Sequence, residues 1–215
     1  MTTTAMKPSA RRLPAWMLPG VAGVLLLVAM ALSTHVVVIG SSADQREEAF
    51  SPDAFAAGAF PKIAAWVDSH AADAADLARG LASDRDATVA KHGTPGSIGP
   101  ELAVRFTGTL GEPQRGIYPV SVAGLPDGQH IRVQMGPAIN GTDLRDVTGT
   151  IAFGQFRNQI DYQNAAAAIN REMKKQVLAP LGTASLSGKT LTVTGVLQMI
   201  NPTSWLVTPV AVKMP

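Results

Sequence analysis

Two polar segments hold most of the side chains in this chain that could do chemistry. Gly136 to Asp146 contains Asn140, Thr142, Asp143, Arg145 and Asp146, and Phe156 to Tyr162 contains Arg157, Asn158, Gln159, Asp161 and Tyr162. Amides, hydroxyls and paired carboxylate and guanidinium groups present fixed donors and acceptors, which suits a small polar ligand such as a polyol or sugar. The same residue types also build loops without any ligand. Asp and Asn beside Gly form turns, Thr142 or Asp143 can cap one, and Arg145–Asp161 or Arg157–Asp146 can tie loops to a core. Both readings stay open from the sequence.

Catalytic arrangements are sparse. Asp143 and Asp146 could divide acid and base roles, but any two acids three residues apart would look the same. His35, His70, His92 and His130 are scattered, with no HxxxH or HExxH spacing. Ser97 lies in Gly96-Ser97-Ile98-Gly99, which is not a GxSxG elbow, and there is no GxGxxG or GxxxxGK[ST]. The chain has no cysteine, so it offers neither a disulfide framework nor a thiolate. No catalytic residue, metal site or cofactor is therefore assigned. A non-enzymatic binding or accessory protein is expected. The alternatives are an envelope enzyme using Asp143, Arg145 and Asp161, and a purely structural envelope protein.

The elements that must position these residues follow from periodicity. Alternation predicts strands at Leu102–Phe106, Ile117–Val122 and Ile131–Met135, then at Thr190–Leu197 and Trp205–Val212, with another strand-like stretch at Val147–Phe156. A helix is expected over Gln163–Leu178, repeating Ala165, Ile169, Met173 and Val177. Three strands, a helix and two strands is the order of a small OB-like antiparallel barrel, in an α+β fold with the helix between strands three and four. That helix is expected to plug the barrel. An open sheet would use the same elements. Upstream, Ser51-Pro52 offers a helix start. Pro61 is expected to begin a longer helix reaching Leu81, and Asp84 to cap a third ending at His92, with Gly93 left-handed.

The N-terminal residues speak to location. Met17 to Gly40 contains no Asp, Glu, Lys or Arg, and a helix of that length would cover roughly 36 Å against a hydrocarbon core of roughly 30 Å. Lys7, Arg11 and Arg12 precede it, which favours a cytoplasmic tail over residues 1–16 and export of the remainder. Residues 17–40 are thus expected to be a retained single-pass anchor in the inner membrane; cleavage after Ala31 is the rival reading. A juxtamembrane linker over 41–58, a helical arm over 59–93 and the OB-like domain over 101–215 would follow, in the periplasm or extracytoplasmic space. Three of the eighteen basic residues precede residue 41, leaving fifteen against sixteen acids. With that balance, and with Phe106, Tyr118, Phe153, Phe156, Tyr162 and Trp205 mostly at core-like positions, nucleic acid is not an expected partner.

With these segments in hand, the chain resembles the family of predicted periplasmic lipoproteins of unknown function often encoded beside sugar ABC transporters. The resemblance rests on His35-Val36-Val37-Val38, the Trp66-bearing helix, the segment Gly136–Asp146 and the linked segment Phe153–Tyr162. It implies an extracytoplasmic location and a connection to ABC transporter components for carbohydrate uptake. It implies no activity. The family's name implies a lipidated cysteine, which this chain lacks, so a proteinaceous anchor is expected here.

Overall fold

The computed structural model describes residues 18–34, 50–96, 98–182 and 184–214. They fall into two compact units, one up to Ala49 and one from Phe50 onward. The first holds α1, Leu18–Ser33, sixteen residues without a charge. At about 1.5 Å per residue it covers roughly 24 Å, and no helix among the described residues is long and apolar enough to cross a membrane. The expected span 17–40 is helical over Leu18–Ser33 only; Met17 and residues 35–40 lie outside the described residues. So do the basic tail and residues 41–49 of the expected linker.

The second unit is built on a barrel of five strands: β1 (Glu101–Leu110), β2 (Ile117–Val122), β3 (His130–Gln134), β4 (Thr190–Gln198) and β5 (Ser204–Lys213). Antiparallel pairs join β1 to β2, β2 to β3, β4 to β5 and β1 to β4, and a parallel pair joins β3 to β5. The sheet closes, so the open alternative is ruled out. Val147–Phe156 is not a strand; the stretch of β1 that β2 leaves free is paired instead by Ala72–Asp73 and Gly93–Thr94. The 147–156 segment is a loop with one 3-10 turn at Phe153–Gln155, held locally by the Thr148 and Thr150 hydroxyls, 2.8 Å apart.

Four helices surround the barrel, with one further helical turn in a loop. Ser51 caps α2, Pro52–His70, which runs straight through Pro61. The proline ring lies on the exposed face, while Ala56, Phe60, Ile63 and Val67 form an unbroken buried stripe across it, so packing overrides the break that Pro61 would favour. Residues 52–58 therefore belong to the folded domain and not to a linker. The helix then stops. Ala72–Asp73 pairs in parallel with Val104–Arg105 of β1, and Asp73 caps α3, Ala74–Ser83. Asp84 caps α4, Arg85–His92. Gly93 has φ −95° and is extended, not left-handed, because Gly93–Thr94 pairs with the start of β1. The single turn α5 (Asp143–Asp146) and then α6 (Gln159–Met173) lie between β3 and β4. Asn158 starts α6 earlier than the apolar period indicates. A π-turn over Lys174–Leu178 and a 3-10 turn over Ala179–Leu181 follow it.

Two apolar clusters result. One fills the barrel with Leu102, Val104, Phe106, Val133, Leu197 and Trp205, and α3 contributes Ala74, Leu77 and Leu81 to it. The other lies outside the barrel, where α2 and α6 cover Ala103, Val196 and Val210. The expected plug is thus misplaced: Ile169 and Met173 of α6 are buried against α2 on the outer surface, and it is α3 that packs with the barrel interior. Partly buried Val177 follows in the π-turn beside them. Of the aromatic residues expected in the core, Phe106 and Trp205 are buried, whereas Phe153 is half-exposed.

Both assignments have measurable consequences. Ile169→Asp should destabilise by several kcal/mol, because a carboxylate would enter the α2–α6 seam without a partner. Leu77→Ala should cost about 2–5 kcal/mol through the cavity left at the barrel end. Denaturant unfolding of both variants checks this, and a wild-type midpoint for Leu77→Ala would show that α3 is not part of the core.

Candidate functional site

Outside the barrel, the 136–146 loop and α6 enclose a cleft of about 700 Å³. Of the ten polar residues singled out in the sequence, Asn140, Thr142, Arg145, Asp146, Gln159 and Tyr162 line it. Asp143 stands behind its wall. Arg157, Asn158 and Asp161 are not among the lining residues. Asn158 caps α6, accepting from the Asp161 amide at 2.8 Å while its own amide donates to the Asp161 carboxylate at 3.2 Å. Asp143 accepts from Thr208, Arg145 pairs with Asp146 and Asp161 is bonded to Asn158.

The centre of the wall is α5. Arg145 Nε and Nη2 donate to the two oxygens of Asp146 at 2.6 and 2.9 Å, and Nη1 donates to the Tyr162 carbonyl at 3.3 Å. The guanidinium carbon lies 3.6 Å from the centre of the Tyr162 ring, within cation–π range. Thr142 Oγ1 donates to Asp146 Oδ2 at 2.7 Å, and the Tyr162 hydroxyl approaches Asp146 Oδ1 at 3.4 Å. The two polar segments do meet, and Arg145 pairs with Asp146, not with Asp161. Burial and then the Asp146 charge push the Tyr162 phenol above its ordinary range. Rings continue outward from there: Tyr162 touches Phe153 and Phe156, and Phe156 touches Phe50 and Phe55.

Behind the wall is a polar layer that the sequence reading missed. Thr208 of β5 donates to Asp143 Oδ2 at 3.1 Å and accepts from Gln134 of β3 at 2.9 Å. Gln134 also receives the Asn140 amide at 3.2 Å, and Asn170 of α6 donates to the Gly141 carbonyl at 3.0 Å. Glu101, the first residue of β1, is fully buried. Its Oε1 accepts from Gln198 at 2.9 Å and its Oε2 has no partner. Burial, with the nearby Asp143 charge adding to it, raises the Glu101 carboxyl to about 8. Burial raises Asp143 as well, against the opposing hydrogen bond from Thr208. Asn170 was detectable as a polar residue inside the apolar stripe of α6. Glu101 was not, since an acid at a strand start looks solvated.

Arg145→Ala would strip Asp146 of its counter-charge in a site where both side chains are about nine-tenths buried. A loss of roughly 3–5 kcal/mol is expected, read by denaturant unfolding. Glu101 predicts a pH dependence. The native state holds its proton up to about 8 and the unfolded chain releases it near the ordinary value, so stability should fall as pH rises through that interval. Asp143 and Asp146 reinforce the shift, and the Gln198 hydrogen bond and the Arg145 charge oppose it. Melting temperatures at pH 5.5, 7 and 8.5 should decline in the wild type and decline less in Glu101→Gln; parallel slopes would contradict the assignment.

Comparison with known proteins bears on the fold and the family. No curated protein matches the chain. Among solved structures, an OB-fold protein from Thermotoga maritima superimposes with a TM-score of 0.62 over 78% of this chain and 100% of its own, at 18% identity. That likeness concerns the fold. The family model described as "Predicted periplasmic lipoprotein (DUF2291)" matches residues 24–213. The chain belongs to this family, whose function is unknown and whose description fits an extracytoplasmic protein.

Proposed function

We propose that this chain is a non-enzymatic extracytoplasmic binding protein that holds a small polar solute in the cleft between the 136–146 loop and α6. It is retained at the inner membrane by residues 17–40 and serves a sugar ABC transporter. The observation that carries this reading is the cleft itself. Its volume, about 700 Å³, is within the range of small-molecule sites, and convergent side chains and exposed backbone supply donors and acceptors on several sides. The uncharged apolar sequence around α1 supports the anchor, and the family resemblance supports the transporter connection.

Gln163 separates a site from a tether. It lines the cleft and is exposed, and no apolar core depends on it. The full chain, taken from membranes that have been washed with carbonate, is screened by thermal shift against neutral pentoses, hexoses and polyols. At a ligand concentration about a hundredfold above Kd, binding should stabilise by about 2.7 kcal/mol. Gln163→Ala should abolish that shift and leave the unliganded melting temperature unchanged. A solute that still protects Gln163→Ala is bound elsewhere, and no protection by any of them would remove the binding reading. Release of the chain by the carbonate wash would remove the anchor.

A further inference from the structure

A second cavity, of about 620 Å³, runs along α2 and differs in chemistry from the first. Its α2 wall extends from Ala54 to Trp66, twelve residues further on, or roughly 18 Å at about 1.5 Å per residue. Phe55, Ile63, Trp66 and Ile151 give it large apolar surfaces. Gly58 opens it on the α2 side: this residue is exposed, and a Cβ there would meet nothing within 4 Å. The facing loop offers little to a polyol. Its Thr148 and Thr150 hydroxyls bond each other at 2.8 Å, and the Gln155 amide donates to the Thr150 carbonyl at 2.9 Å. Among the described lining residues Lys62 is the one charged group. It is exposed, and among the described residues no carboxylate pairs with it.

We propose that this groove binds a single-chain amphiphile of the fatty-acid class, its tail lying along α2 and its carboxylate at Lys62. The apolar length suits an extended hydrocarbon tail, and removing that tail from water drives the binding. Lys62 lies one turn before Trp66, so the head sits at the Trp66 end and the tail runs toward Phe55. There Phe55 meets Phe50 and Phe156, with ring centres 5.7 and 5.4 Å away, which prolongs the apolar surface. At the other end the Trp66 ring is held by His70, stacked at 4.1 Å. A lysine stem lies along apolar surface while its ammonium stays in water, so a carboxylate at the rim gains a partner without being desolvated. An anionic head meets no acid in the described lining, whereas a cationic head would meet the like charge of Lys62. The inference does not depend on the solute cleft, with which this groove shares only Ile151 among the described residues.

Three photoreactive probes that share one diazirine-bearing chain and differ in the head test this: palmitate, hexadecanol and hexadecylamine. Each is added to the full chain in phosphatidylcholine nanodiscs at about pH 8.5, where the carboxylate is ionised and Lys62 is still charged. Labelled peptides are then mapped by mass spectrometry. Palmitate should label the 54–66 and 148–155 segments about fivefold more than the alcohol does, the scale of one charge pair at an exposed rim. The amine should label them least. Lys62→Gln should bring palmitate down to the level of the alcohol. Gly58→Leu, which places a side chain in open space on an exposed helix position, should keep or raise the melting temperature and abolish labelling of both segments. Equal labelling by the three heads, or an undiminished palmitate preference in Lys62→Gln, would overturn the anionic selectivity. Labelling that persists in Gly58→Leu would overturn the groove as the binding site, and so would failure of palmitate to label either segment.

Discussion

Nine consecutive residue pairs between β1 and β4, from Glu101–Gln198 to Thr109–Thr190, close the barrel, and this ladder dictates what the other elements must do. A closed sheet has an inside that must be filled and an outside that is only partly polar. Leu102, Val104 and Phe106 take the inside, so Ala103 faces out with Val196 and Val210. Those small apolar residues would meet water if nothing covered them. Burying this patch is the physical reason for the α2–α6 pair, and the cleft exists because α6 and the 136–146 loop do not close over it completely.

The seam between barrel and loop is filled with polar side chains. Thr208, Gln134, Asn140 and Asp143 form one connected set of hydrogen bonds, and Arg145, Asp146, Thr142 and Tyr162 form another. In a low-dielectric setting such networks fix one arrangement when their members are paired, and an unpaired member is costly. Nearly every member is paired here. The exception is Glu101 Oε2, at the point where the outer phase of β1 runs beneath the cleft wall. The same residue thus marks a weakness in stability at higher pH.

Much of the scaffold was legible in the sequence because its causes are local. Alternating apolar residues at 102–106 and 190–197 placed two strands, and Ser51 and Asp84 marked helix starts through capping chemistry that needs no distant partner. The errors have distant causes. Val147–Phe156 has strand-like composition, yet the open part of the β1 edge is taken by Ala72–Asp73 and Gly93–Thr94. Pro61 would end an isolated helix, yet α2 continues through it under a buried stripe. Ile169 and Met173 have the spacing of a plug, but spacing specifies a buried face and not the surface that buries it.

The sequence by itself determined the five strands, the helix between the third and fourth, and six of the polar residues that line the cleft. Those follow from periodicity and residue type, which act over a few positions. Tertiary structure alone decided that α3, not α6, packs into the barrel cluster and that the cleft lies on its outer surface. It also decided that Glu101 is buried without a partner. A strand's pleat states which residues share a face, but only closure of the barrel decides which face becomes interior. Only the packing of the loop over β1 removes the Glu101 carboxyl from water.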